Sequence, residues 1–213
     1  MNTSLIIGLT GQTGAGKSSV CAALEKTGAA VINADAVARE VMKAKSPCLV
    51  SLAEAFGEDV LDKDGSLKRA VLAKKAFSDR ASTDLLNSIT HPFIIKKTEE
   101  YIDFFRNKHY NMIIFDAPQL FESGGGKLCD IIAVVTAPWE VRKMRIMKRD
   151  GIDEKAALLR MNAQHDMSYY TEKADIVLDG SEPPAESADK LSEYVRKFLS
   201  EKNQAADRRL NFS

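Results

Sequence analysis

Histidine, cysteine and tryptophan are scarce in this 213-residue chain: three, three and one. Cys21, Cys48 and Cys129 are odd in number and scattered, with no CxxC pair, which excludes a disulfide framework or zinc finger and suits a reducing compartment. His91, His109 and His165 lie far apart, so they form no metal-ligand spacing. Net charge is also missing. Thirty basic and thirty acidic residues cancel, leaving no global field to draw the chain to nucleic acid or an anionic membrane. No apolar run approaches the length of a membrane span. The N-terminus has no basic stretch before its short apolar run, as a signal peptide would need. Internal repeats and low-complexity segments are absent too. The expectation is a soluble, cytoplasmic protein with no nucleic-acid, membrane or obligate protein partner.

What is present alternates between strand and helix. Leu5–Leu9, Ala30–Ile32, Met112–Asp116, Ile131–Val135 and Ile176–Leu178 are short β-branched runs without polar alternation, as in strands buried on both faces of a parallel sheet. The βαβ rhythm predicts an α/β, doubly wound, five-stranded parallel sheet with ligands at the carboxyl ends of its strands. About seventy-five residues separate the second and third runs, far more than a simple crossover needs. They read as helices over 49–56, 67–77, 83–89 and 93–108, with Pro92 opening the last, and they suggest a helical subdomain for a second substrate. The expected division is a core of 1–45, 110–137 and 170–203, a helical insertion of 46–109 and a lid of 138–169. Residues from about 203 onward read as a frayed polar tail.

Gly11-Gln12-Thr13-Gly14-Ala15-Gly16-Lys17-Ser18 matches G-x-x-x-x-G-K-[ST] in full, between an expected strand and an expected helix. Such a loop cradles phosphate with backbone N–H groups at a positive helix end. The binding set predicted for a nucleoside triphosphate is Gly11, Gly14, Ala15, Gly16, Lys17, Ser18 and Ser19. Lys17 would reach the β- and γ-phosphates, and the Ser18 hydroxyl would ligate Mg²⁺. Asp116 ends an apolar strand, where proteins with this loop keep a carboxylate that helps hold the metal, here through water. Asp35 lies just past the second strand, so it opens on the crevice of such a sheet. Its two readings are helix N-cap and catalytic carboxylate, and the catalytic one is preferred.

Arg142, Arg145 and Arg149 are spaced i, i+3, i+7, which puts three guanidinium groups on one helix face. Asp150-Gly151 then breaks that helix, and a second begins near Asp153, carrying Arg160 and Gln164. A basic helix, a hinge and another helix fit a lid that closes on a triphosphate, with Arg145 and Arg149 stabilising the transferred group. Trp139 reads as a packing residue, and Gly124-Gly125-Gly126 as a flexible turn.

Taken together, these segments resemble the dephospho-coenzyme A kinase family from Ile6 to about Asp179. The phosphate loop is generic. More specific are Ala34-Asp35 with Ala38-Arg39, the run Leu86-Asn87-Ser88-Ile89-Thr90-His91-Pro92, and Asp116-Ala117-Pro118-Gln119-Leu120-Phe121-Glu122. Arg145 to Gly151 with Arg160 and Gln164, and Ala174-Asp175-Ile176-Val177, complete the likeness. The resemblance implies a P-loop kinase with a helical substrate domain and a lid. It would move the γ-phosphoryl group of ATP to the ribose 3′-hydroxyl of dephospho-CoA. It implies Asp35 as base or positioner, and Thr10, Asp35, Arg69 and His91 as acceptor-site residues.

Three positions depart from the family's usual pattern. Asn33 stands where the family usually has aspartate, Asp179-Gly180-Ser181 replaces its usual Asn and later Gly, and Arg142 stands where it often has glutamine. One carboxylate fewer near Asp35 is expected to alter rate more than identity. A nucleoside or nucleotide kinase of the same fold is the alternative; a silent ATP-binding regulator is a more distant one.

Overall fold

The computed structural model describes residues 4–210, without the side chains of 203 and 205–210. Five strands form one sheet: β1 (Leu5–Gly11), β2 (Ala30–Asn33), β3 (Met112–Asp116), β4 (Ile131–Thr136) and β5 (Ile176–Asp179). Their order is β2-β3-β1-β4-β5. β1 runs parallel to β4 with Leu9 opposite Ala133, β2 parallel to β3 with Asn33 opposite Asp116, and β4 parallel to β5 with Thr136 opposite Asp179. The sheet is thus of the expected α/β, doubly wound kind. All seven residues of β1 are buried, as a strand covered on both faces requires. No helix among the described residues is long and apolar enough to cross a membrane.

Two compact units make up the chain. One holds residues 4–6 and Ala30–Cys129. Besides β2 and β3 it contains α2 (Ala34–Val41), α3 (Pro47–Phe56), α4 (Arg69–Ala76) and α5 (Arg80–Asn107). Its helical core gathers Cys48, Leu49, Leu52, Ala53, Val60, Leu72 and Ala76. Burial pushes the Cys48 thiol up to about 11, so it behaves as a small apolar side chain. The other unit holds Ile7–Ala29 and everything from Asp130 onward. It contains α1 (Lys17–Lys26), α6 (Trp139–Asp150), α7 (Glu154–Asn162), α8 (Met167–Thr171) and α9 (Pro184–Leu210).

Several expectations change. The helices read over 83–89 and 93–108 are a single helix of 28 residues with Pro92 inside it. Proline removes the bond to the residue 88 carbonyl and costs about 3 kcal/mol in a helix interior. Leu86, Ile89 and Phe93 nevertheless pack on the same cluster from both sides of the break, so tertiary contact carries the helix through. α9 keeps helical backbone through 203–210, where a frayed tail was expected; 211–213 lie outside the described residues. Trp139 is 44% exposed and sits 5.7 Å from the Arg142 guanidinium, as a cation–π partner and not a packed core residue. Gly125 is buried in a 3₁₀ turn where a Cβ would lie 2.7 Å from the Phe115 ring, so this turn is packed and not flexible.

Candidate active site

β1 ends at Gly11 and α1 begins at Lys17, so residues 12–16 form the connecting loop. Gly16 is left-handed (φ 105°) and supplies α1 with no side-chain cap, and an uncapped helix start is a place that suits an anion. Gly14 is also left-handed (φ 78°), and a Cβ there would lie 2.7 Å from the Arg142 carbonyl. Only glycine satisfies both demands. Lys17 is half-buried, and Ser18 and Ser19 are exposed on the first turn of α1.

The loop is held from behind. Arg142 donates from Nε to the Thr13 carbonyl (3.0 Å), from Nη1 to Gln12 Oε1 (2.5 Å) and from Nη2 to Gln164 Oε1 (3.4 Å). Gln164 Oε1 also accepts from the Thr13 N–H at 2.8 Å, and Gln12 Nε2 donates to the His165 carbonyl at 2.8 Å. Arg145 Nη1 donates to the carbonyls of Gly14 (3.3 Å) and Ala15 (3.2 Å). No described peptide bond is cis. In a trans peptide the N–H opposes the C=O, so the N–H groups of Gly14 and Gly16 point away from the arginines. That is the face a phosphate needs.

Gly180 completes the support. Its N–H donates to the Thr136 carbonyl at 2.7 Å, and a Cβ on it would come within 1.9 Å of the Ala15 carbonyl oxygen. The Asp179-Gly180-Ser181 departure therefore presses on the phosphate loop itself. Asp179 Oδ1 accepts from the Ser181 N–H and hydroxyl, which holds its carboxyl below the usual range.

α6 ends at left-handed Gly151, and Asp153 caps α7 by accepting from the Ala156 N–H at 2.8 Å, so the expected helix–hinge–helix is present. Its arginines have different tasks. Arg142 is buried, and Arg145 touches loop carbonyls. Arg149 makes a two-pronged bond to Asp150 (2.8 and 2.9 Å), and Arg160 bonds the same carboxylate. These two cations hold the Asp150 carboxyl below its ordinary range, Arg149 more than Arg160.

The other unit carries three of the four acceptor candidates, Asp35, Arg69 and His91, while Thr10 belongs to the unit of the phosphate loop. Asn33 is the N-cap of α2: its Oδ1 accepts from the Ala36 N–H at 2.9 Å, while its Nδ2 donates to Asp116 Oδ2 at 2.7 Å. An amide can do both, whereas an ionised aspartate at this position would have no donor for Asp116. The capping alternative for Asp35 is thereby removed. Asp35 sits in the first turn of α2, exposed. Asp116, 3% exposed, lies at the end of β3.

A largely apolar pocket of about 370 Å³ opens among α2, α4 and α5. Met42, Leu72, Phe77 and Leu86 line it, with Arg69, Asn87, His91 and Gln119 as polar members. Arg69 and His91, separate in sequence, thus share one cavity. Burial pushes the His91 imidazole below its ordinary value, against a hydrogen bond with Gln119 and the charge of Glu122. Thr10 is wholly buried in β1, opposite Val134. Gln12 and Gln119 were missed by sequence reasoning: Gln12 fills an unrestricted position of the loop motif, and Gln119 owes its place to the turn after β3.

Comparisons with known proteins find relatives along most of the chain. The family model for dephospho-CoA kinase matches residues 5–185. A dephospho-CoA kinase of Corynebacterium jeikeium is 42% identical over 177 residues, covering 83% of this chain and 91% of that protein. One from Syntrophotalea carbinolica is 38% identical over 195 residues, 92% of each. Among solved structures, a Thermus thermophilus protein superposes with a TM-score of 0.76 at 28% identity, over 92% of this chain and 98% of that one.

Proposed function

The chain belongs to the dephospho-CoA kinase family, and on that premise we propose that it transfers the γ-phosphoryl group of MgATP to the ribose 3′-hydroxyl of dephospho-CoA, giving CoA and ADP. The observation that carries the mechanism is the division of labour at the start of α2: Asn33 caps the helix, so the Asp35 carboxylate is left for chemistry. Asp35 takes the proton of the attacking hydroxyl or orients it. The N–H groups of the loop and Lys17 hold the donor phosphates.

Arg145 and Arg149 stabilise the charge on the moving group. Arg149 does so by exchanging Asp150 for phosphate, while Arg160, beyond the break at Gly151, keeps the Asp150 carboxylate paired. Ser18 and Asp116 offer a hydroxyl and a carboxylate, hard oxygen donors of the kind Mg²⁺ accepts, with Asp116 oriented by Asn33. Mg²⁺ held there would neutralise charge on the donor phosphates. The pocket of Arg69 and His91 takes part of the acceptor, with the helical segment 46–109 as acceptor domain and 138–169 as lid.

The test is an ADP-release assay with MgATP and separate additions of dephospho-CoA, adenosine and nucleoside monophosphates, with product masses checked. Turnover with dephospho-CoA alone, and a product heavier by one phosphate, is expected. Turnover on a nucleoside or nucleotide instead would show that the helical segment serves another acceptor. Asp35→Asn should keep nucleotide binding and lose on the order of a hundredfold or more in kcat; an unchanged rate would remove Asp35 from the base role.

A further inference from the structure

Arg142 is the most deeply buried cation of α6, 3% exposed. Its hydrogen-bond partners are the Thr13 carbonyl and the side-chain amides of Gln12 and Gln164, and every one is neutral. Its neighbours on the same helix are treated otherwise. Lys143 has Glu140 and Glu154 at 2.8 and 2.7 Å, and Arg149 has Asp150. A buried charge answered by dipoles and by the Trp139 ring, with no carboxylate partner among the described residues, is costly. Burial shifts this guanidinium toward losing its proton, against an opposing interaction with Tyr170.

The place of that charge is specific. The guanidinium grips the Thr13 carbonyl on one side of the loop, and the N–H of Gly14 in the same trans peptide points to the other side. We infer that Arg142 is a positioning residue that holds a positive charge, without a carboxylate partner among the described residues, behind the phosphate loop, so that the counter-charge is supplied by the polyphosphate chain itself. The inference rests on reading the loop as the donor site. With its donors spent on Thr13, Gln12 and Gln164, Arg142 is not proposed to touch the phosphates. It fixes the peptide that does, through Thr13, Gln12 and Gln164, and it adds a field that grows in value with the charge of the ligand.

Such a charge has a signature that a purely structural clamp lacks. Without ligand it is a burden on the fold; with ligand it contributes to affinity. Arg142→Gln keeps an amide beside Gln12 but removes the charge, and Arg142→Lys keeps the charge but not the planar fork. Each full-length variant is compared with the unaltered protein by calorimetric titration with MgATP and MgADP, and by thermal melting without nucleotide.

The expected result for Arg142→Gln is an unchanged or raised melting temperature without ligand. Its MgATP affinity should fall about tenfold, with a smaller fall for MgADP. Arg142→Lys should recover most of the difference between the two nucleotides. Equal affinities in Arg142→Gln and the unaltered protein would overturn the inference. So would a lower melting temperature with equal losses for both nucleotides, or a lysine variant that recovers nothing. If the unaltered protein itself binds neither nucleotide, the donor-site reading fails and the inference falls with it, an outcome separate from the others.

Discussion

In the unit that carries the phosphate loop, position is set by backbone geometry and charge. Gly14, Gly16 and Gly180 allow close approach, and Arg142 and Arg145 hold three successive carbonyls. In the unit that carries the pocket, position is set by apolar packing. Met42, Leu72, Phe77 and Leu86 line a cavity whose polar groups come from three separate stretches: Arg69, the α5 segment with Asn87 and His91, and Gln119. The contrast follows the ligands each suits. A phosphate is the same small, charged object everywhere, so one rigid constellation of N–H groups serves it. A larger, partly apolar acceptor is recognised by shape, and many side-chain combinations can supply that.

The comparison can be broken most sharply at Gly180. Gly180→Ala would put a methyl 1.9 Å from the Ala15 carbonyl and 2.7 Å from Val135 Cγ1, so backbone must shift. Ala15 is also held by Arg145, so the shift passes into the loop. A displacement of this order should reduce kcat/KM for MgATP on the order of a hundredfold, while the pocket half is untouched. Steady-state kinetics in each substrate separates the two; a loss confined to the acceptor would contradict the assignment of roles.

The same contrast explains what the sequence alone discloses. The loop and the strands are legible because each position requires a particular residue type: glycine at Gly14, a β-branched run through Ile113 and Ile114. The support behind the loop is not, because Arg142 and Gln12 lie 130 residues apart and Gln12 occupies a position the motif leaves open. Asn33 reads on paper as a missing carboxylate. Its function as cap and as donor to Asp116 depends on the β2–β3 register. Pro92 misleads for a related reason, since local chemistry argues for a helix start and packing on a distant cluster overrides it.

A milder prediction concerns pH and the pocket. The folded-state value of His91 lies below its ordinary 6.5 because burial disfavours the charged ring. The unfolded chain therefore binds more protons there as pH falls through about 6.5, and stability declines toward the folded value. His91→Gln should shrink the drop in melting temperature between pH 7.5 and 5.5, and should raise KM for the acceptor several-fold while KM for ATP stays the same. An identical pH response in the variant would show that His91 is not a buried neutral group.

The smallest effect belongs to the helical half, where packing sets position and a polar group can be superfluous. Thr98 on α5 is fully buried, and its hydroxyl has no hydrogen-bond partner among the described residues. A serine or threonine in a helix usually returns its hydroxyl to the carbonyl four residues back, as Thr90 does to Leu86 at 2.9 Å. Thr98 makes no such bond, so it carries a desolvation cost without compensation. Thr98→Val keeps the shape and removes the hydroxyl, at the expense of nothing the fold uses. It should stabilise the protein by about 1 kcal/mol in urea unfolding, with kinetics in both substrates unchanged. A loss of stability would mean that this hydroxyl is satisfied, and that the helical half depends on polar detail much as the phosphate loop does.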